Sequence, residues 1–66
     1  MNSNTKITLE VTLRDTLNIF HVYKEYIVWT WTHDEYDGPG DNRNGAEFTF
    51  EKCMESLWEY IEDEQD

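Results

Sequence analysis

The fold is decided by the C-terminal stretch 49–62, which reads TFEKCMESLWEYIE. Its apolar residues recur at intervals of three and four, the spacing that places side chains on one side of an α-helix. They are Phe50, Cys53, Met54, Leu57, Trp58 and Ile61. Thr49 precedes the pattern as a favoured N-cap, and we expect Phe48 and Cys53 to pack together as a hydrophobic staple. The stretch therefore predicts a C-terminal helix with one buried face.

The other side of this predicted helix is acidic. Between residues 51 and 66 there are Asp or Glu residues at positions 51, 55, 59, 62, 63, 64 and 66, and Lys52 is the only base. Carboxylates near the C-terminus of a helix oppose its macrodipole, so this crowding lowers stability. The cost indicates that these acids serve something other than folding, either binding to a basic surface or solubility.

The residues before the helix predict a β-sheet. Apolar and polar residues alternate over 7–14, which is typical of a strand with one buried face. The ranges 19–23 and 26–33 are rich in β-branched and aromatic residues and predict two more strands, after a turn at 15–18 and an interruption at Lys24 and Glu25. A short fourth strand is expected at 46–48. The sequence thus predicts an α+β fold, with a three- or four-stranded antiparallel sheet and the helix packed on one face.

Length, charge and cysteine content limit the class of protein. The 66 residues fit one domain, 1–66, in which 1–5 and 64–66 are expected to fray. Fifteen acids against five bases give a net charge of −10, which repels nucleic acids and anionic lipid and attracts basic protein surfaces. No run approaches the roughly 20 apolar residues of a membrane span. One cysteine permits no intrachain disulfide, so we expect a cytoplasmic protein. Because of its charge and its lack of a long apolar run, we expect it to bind neither nucleic acid nor membrane directly.

The segment 34–45 holds all three glycines, the only proline and several acids, and therefore predicts a loop. A divalent cation could bind there through His33, Asp37 and Asp41. The alternative is that Arg43 neutralises the loop acids, because Asp and Asn are the ordinary residues of turns. We expect no cofactor and no enzymatic activity, since neither a nucleophile nor a phosphate-binding glycine loop has a recognisable context. The thiol of Cys53 lies on the apolar stripe, where a buried inert cysteine is expected.

Aromatic residues are abundant for so short a chain, with three Trp, four Tyr and three Phe. Trp and Tyr are enriched where proteins bind one another, so some of them are expected on an interface. We expect the tryptophans in the core, and the tyrosines either at an interface or at the edges of the small core, which amphipathic aromatic residues can close. The tryptophans are Trp29, Trp31 and Trp58, and the tyrosines are Tyr23, Tyr26, Tyr36 and Tyr60.

One segment resembles a known type of protein. The string WTHDEYDG at 31–38, followed by Asp41, Arg43 and Gly45 and then by a Thr-capped helix, resembles a type of small bacteriophage protein. The resemblance covers about half of the chain. It implies a phage origin, the cytoplasm of a bacterial host, and the class of small acidic inhibitors of host defence or host nucleic-acid enzymes, which includes anti-CRISPR proteins and DNA mimics.

Two functional hypotheses follow. In the first, the chain is an inhibitory binding protein whose acidic helix and loop occupy a basic, nucleic-acid-binding surface of a host protein. The residues expected to contact this partner are Asp34, Glu35, Tyr36, Asp37, Asp41, Glu51, Glu55, Glu59 and Glu62. In the second, the chain is a non-inhibitory structural or accessory module, a homodimer whose charge only keeps it soluble.

Overall fold

The computed structural model describes residues 5–65 and contains a four-stranded antiparallel sheet covered by one helix. The elements are β1 (Lys6–Leu13), β2 (Thr16–Glu25), β3 (Val28–His33), β4 (Asn44–Glu47) and α1 (Phe50–Gln65). The strands lie in the order β1-β2-β3-β4. The predicted α+β fold is confirmed, with four strands. Residues 1–4 and 66 lie outside the described part of the chain, and the fraying of 1–5 and 64–66 stays a prediction.

The first hairpin turns more tightly than the sequence predicts. Leu13 pairs with Thr16, so only Arg14 and Asp15 form the turn. Both have positive φ, 51° and 66°, which matches a type I′ turn and the twist of its two strands. The predicted turn at 15–18 is therefore wrong. Aspartate tolerates this backbone conformation, but arginine carries no sequence signal for it.

The second hairpin is equally short. Glu25 pairs with Val28, and the turn consists of Tyr26 and Ile27. Tyr26 has a φ of 59° at a position where a two-residue turn of type II′ usually has glycine. Strand β2 thus continues through the charged pair Lys24 and Glu25, which the sequence analysis took as an interruption, because both side chains lie exposed at the end of the strand.

One face of the sheet and one face of α1 form the core. Its fully or nearly buried hydrophobic residues are Leu13, Phe20, Val22, Trp31, Cys53, Leu57 and Ile61. Aromatic rings meet edge to face in this core, with centroids 6.0 Å apart both for Phe20 and Trp31 and for Phe20 and Tyr60. The other face of the sheet has no helix over it within residues 5–65.

The helix begins as predicted and buries the centre of the predicted apolar stripe, but one flank of the stripe stays exposed. The backbone N–H of Lys52 donates to Oγ1 of Thr49 at 3.1 Å, which confirms the N-cap. The predicted staple does not form, because Phe48 is 76% exposed. Trp58 is 56% exposed, so its predicted place in the core is also wrong. It lies about 100° around the helix from the buried Leu57, since successive helical residues are separated by that angle.

A glycine fixes how closely the helix approaches the sheet. A Cβ at Gly45 would overlap Nε1 of Trp31 and lie 2.8 Å from Oγ of Ser56. Without that Cβ, the indole N–H of Trp31 donates to Ser56 Oγ at 3.0 Å and links β3 to α1 across β4.

Within residues 5–65, no helix is both long and apolar enough to cross a membrane.

Candidate partner-binding surface

Four glutamates form a row on the exposed side of α1, called here the acidic row: Glu51, Glu55, Glu59 and Glu62. From the first to the last, the helix rises about 16 Å at 1.5 Å per residue. Lys52 lies 3.7 Å from the Glu55 carboxylate, and both side chains are about two-thirds exposed. The other three glutamates have no hydrogen bond or ion pair with any residue in 5–65. The row therefore presents carboxylates to solvent.

In the loop of residues 34–43, the carboxylate of Asp41 accepts hydrogen bonds from other residues of the same loop. The guanidinium of Arg43 donates from Nε and Nη2 to the Asp41 carboxylate, at 2.9 and 2.8 Å. The backbone N–H groups of Asp37 and Arg43 each donate to the same carboxylate at 3.0 Å. The bonds from Arg43 hold the pKa of Asp41 well below its usual range. The Asp41 side chain is only 12% exposed, so it organises the loop and offers little surface to a partner.

The remaining loop acids are more exposed. Asp34 accepts a hydrogen bond from Nε2 of His21 at 2.9 Å and anchors the start of the loop to β2. Glu35 is mostly exposed and lies 3.5 Å from Nη1 of Arg43. The side chain of Asp37 is exposed, and it takes part in the loop through its backbone N–H. Asp34, Glu35 and Asp37 are thus all exposed, and of these three only the Asp34 carboxylate accepts a side-chain hydrogen bond within residues 5–65.

His33 is engaged through both ring nitrogens. The backbone N–H of Glu35 donates to Nδ1 at 2.9 Å, so the ring proton of the neutral imidazole resides on Nε2 and is donated to Oδ1 of Asn18 at 2.8 Å. The proposed divalent site required this imidazole together with Asp37 and Asp41. Within residues 5–65, no three His, Cys, Asp or Glu side chains lie close enough to hold a metal ion. The structure instead favours the alternative, in which Arg43 neutralises loop acids.

Cys53 is fully buried, and burial raises the pKa of its thiol. A thiol in this state is a poor nucleophile because the reactive species is the thiolate. The residue packs in the core, as expected from its place on the apolar stripe.

The loop meets α1 near the end of the helix. Burial raises the pKa of the Tyr60 phenol, and the charges of Glu64, Arg43 and Asp41 also act on it. The cation of Arg43 therefore lies near the C-terminal half of α1, where the macrodipole favours positive charge and where the last turn has no base of its own. Arg43 thus brings the end of the loop close to Tyr60, whereas Asp34 at its start is bound to His21, on the sheet face away from the helix.

The tyrosines expected at an interface are dispersed. Tyr26 is 94% exposed at the tip of the second hairpin. That tip lies at the start of β3, whereas the loop leaves the end of β3, so the two are at opposite ends of the sheet. Tyr23, Tyr36 and Tyr60 are partly buried. The structure therefore does not gather the four tyrosines into one patch.

An apolar groove of about 590 Å³, which was not predicted from the sequence, lies between β1 and α1 and is called here the β1 groove. Its apolar lining residues are Leu9, Val11, Phe50, Met54 and Trp58. Three acids, Glu10, Glu51 and Glu55, border it. The width of the apolar stripe in the sequence could have predicted this groove. Residues 50, 54 and 58 follow one another at intervals of four along one flank of the stripe, beside the buried residues 53, 57 and 61.

Comparison with protein-family models, curated proteins and solved structures finds no match to this chain. Its function has to be argued from its own residues.

Proposed function

We propose that this chain is a binding protein, not an enzyme, whose acidic row occupies a basic surface of another protein. The observation that carries the proposal is the row itself. Its glutamates are exposed on a rigid helix, and three of them have no partner within residues 5–65. The helix backbone fixes the spacing of the four attachment points, so binding has to order only the glutamate side chains, and preorganisation of the backbone favours affinity.

The spacing of the row supports a surface that otherwise holds nucleic acid. Side chains three or four residues apart on a helix are separated by about 5–6 Å, which is comparable with the separation of phosphates along one nucleic-acid strand. The net charge of −10 steers the chain towards basic surfaces and raises the association rate at low ionic strength. We infer that the chain competes with DNA or RNA for its partner.

The resemblance of residues 31–45 to small bacteriophage proteins favours a partner in the bacterial cytoplasm. An inhibitor of a host nucleic-acid enzyme or of a defence protein combines that origin with the acidic row. The loop supports this role in a secondary way, because the exposed carboxylates of Glu35 and Asp37 add to the negative surface of the chain.

The test is capture of host proteins on the immobilised chain, followed by elution with increasing NaCl and, separately, with double-stranded DNA. A partner held by the acidic row elutes as salt screens the charges, and DNA displaces it. The purified partner then loses DNA or RNA binding when the chain is added. Capture that survives molar salt and is unaffected by nucleic acid would contradict the proposal.

A further inference from the structure

Strand β1 has an open edge. It is the outermost strand of the sheet, and in residues 5–65 it pairs only with β2. The two residues that flank a two-residue turn, here Leu13 and Thr16, exchange backbone hydrogen bonds, and bonded pairs then alternate along the hairpin. Four residues of β1 therefore point their backbone N–H and C=O groups away from β2: Lys6, Thr8, Glu10 and Thr12.

This edge lacks three of the features that block edge pairing, although it carries two charged side chains, Lys6 and Glu10. Protected edges are short, interrupted by proline or distorted by a bulge. Strand β1 has eight residues, contains no proline, and pairs with β2 in unbroken register from Lys6 to Leu13. The opposite edge, β4, has only four residues. Of the two edges of the sheet, only that of β1 is long enough to accept another strand over several hydrogen bonds.

The β1 groove follows the same edge. Leu9 and Val11 lie on the inner face of β1, and Met54 and Trp58 of α1 stand beside them. A strand added to β1 would lie about 4.8 Å away and would place every second side chain on this inner face. Apolar side chains at those positions would fill the groove.

We propose that the added strand is β1 of a second copy, paired antiparallel around a twofold axis at Thr8. In this register, Lys6 of one chain lies opposite Glu10 of the partner subunit, and the twofold axis repeats the pair. Ile7 lies opposite Leu9 of the partner subunit on the inner face. Cross-strand pairs of opposite charge and of apolar residues stabilise a sheet.

The charges select this register over its neighbours. A shift of the axis to Glu10 places two glutamates directly opposite each other, which is destabilising. A shift to Leu9 places Lys6 opposite an uncharged threonine, Thr12. A slip of one strand along the other by a single residue is different from these shifts of the axis, because it turns the apolar side chains of that strand to the other face, away from the groove. Of these arrangements, only the one centred on Thr8 pairs opposite charges and keeps the apolar residues on the inner face.

The dimer is compatible with the proposed function and does not depend on it. The twofold axis is perpendicular to the sheet, so both helices lie on the same face of one eight-stranded sheet. The acidic rows of the two copies then face the same side. The net charge of −10 on each chain slows their encounter, but Lys6 and Glu10 balance each other at the contact.

The test is sedimentation of the full chain over a concentration series at physiological salt, with charge-swapped variants. The wild type is expected to reach about 16 kDa, twice the 8.0 kDa of one chain, at high micromolar concentration. K6E and E10K each place like charges opposite each other twice, so each is expected to raise the dimer Kd about tenfold or more. The double variant K6E/E10K recreates both pairs with reversed polarity and restores the wild-type Kd.

Matched controls and a second measurement keep the test independent of folding. K24E and E25K make the same charge changes at the end of β2 and leave the Kd unchanged. Hydrogen exchange of the wild type adds a readout without substitutions: the backbone N–H groups of Thr8 and Glu10 exchange faster on dilution, whereas those of Leu9 and Val11, which bond to β2, do not. A wild type that stays monomeric, or a dimer that ignores K6E and E10K, would overturn the proposal.

Discussion

The loop 34–43 and the helix α1 are both acidic, yet they use their carboxylates in opposite ways. In the loop, Asp41 is bound to Arg43 and two backbone N–H groups, and Asp34 is bound to His21. In the helix, Glu51 and Glu59 face solvent without a partner in residues 5–65. In the loop, these carboxylates are hydrogen-bonded within the fold, whereas in the helix they are exposed to solvent.

The difference shows that the number of acids in a segment does not measure its capacity for electrostatic recognition. A carboxylate that accepts several hydrogen bonds is committed to the fold, because a partner could engage it only by breaking those bonds. An exposed carboxylate loses only water when it meets a cation. The acidic row is therefore the recognition element that we propose, whereas Asp34 and Asp41 in the loop serve the fold.

The largest expected effect concerns the frame that holds both regions. In Gly45→Ala, the new Cβ overlaps the Trp31 indole and crowds Ser56, so the helix has to move away from the sheet. Overpacking of this kind costs about 1–3 kcal/mol. Chemical denaturation measures the loss, with Ala46→Ser on the exposed side of β4 as the control. If Gly45→Ala is as stable as the wild type, then α1 is not held tightly against β4 and the positions of the two regions are not fixed.

The next effect separates the two kinds of acid. Asp41→Ala removes the partner of Arg43 and the acceptor of two backbone N–H groups, and it is expected to lower the Tm clearly. Glu59→Ala changes an exposed residue, and its free energy of unfolding should stay within about 0.5 kcal/mol of the wild type. Thermal melts followed by circular dichroism give both values. Equal Tm values for the two variants would remove the distinction between structural and exposed acids.

A smaller effect appears with pH. Because the pKa of Asp41 is lowered in the folded chain, its ionised form stabilises the fold. This contribution is complete above the unfolded pKa of about 3.9 and is lost as the pH falls through the lower folded pKa. The stability advantage of the wild type over Asp41→Asn should therefore be constant near neutral pH and disappear in strong acid. An advantage that is the same at pH 7 and at pH 2 would show that the charge of Asp41 is irrelevant.

The smallest effect is the response to salt. Unpartnered glutamates on one helix repel one another, and ions screen this repulsion over a Debye length of about 8 Å at physiological ionic strength. Added NaCl should raise the Tm of the wild type modestly and raise that of a Glu51→Gln/Glu59→Gln/Glu62→Gln variant less. A Tm that falls with salt in the wild type would indicate that attractive pairs dominate the surface.

The fold class and the start of the helix could be predicted because both depend on local patterns. The alternation over residues 7–14 and the apolar stripe over 50–61 each have one dominant interpretation, and Thr49 caps the helix through its own side chain. The two turns could not be located, since Arg14 and Tyr26 adopt positive φ without the usual glycine or asparagine. Pairing between strands sets these turns.

The candidate site could be predicted only in part. Helical spacing placed the acidic row correctly on the exposed side of α1, because position along a helix determines direction. The binding of Asp41 to Arg43 depends on how the loop closes, and the exposure of Trp58 depends on which part of a wide apolar stripe meets the sheet. Both are outcomes of tertiary packing. Periodicity alone does not specify them.

The most direct test of the central claim compares two variants with equal charge. Glu51→Gln/Glu59→Gln/Glu62→Gln in the helix and Asp34→Asn/Glu35→Gln/Asp37→Asn in the loop each raise the net charge from −10 to −7. Both are assayed for affinity to the salt-eluted partner, after circular dichroism confirms that they fold. If the acidic row carries recognition, as proposed, the helix variant should lose about tenfold or more in affinity and the loop variant much less. Equal losses in the two variants, or a loss confined to the loop variant, would contradict the account.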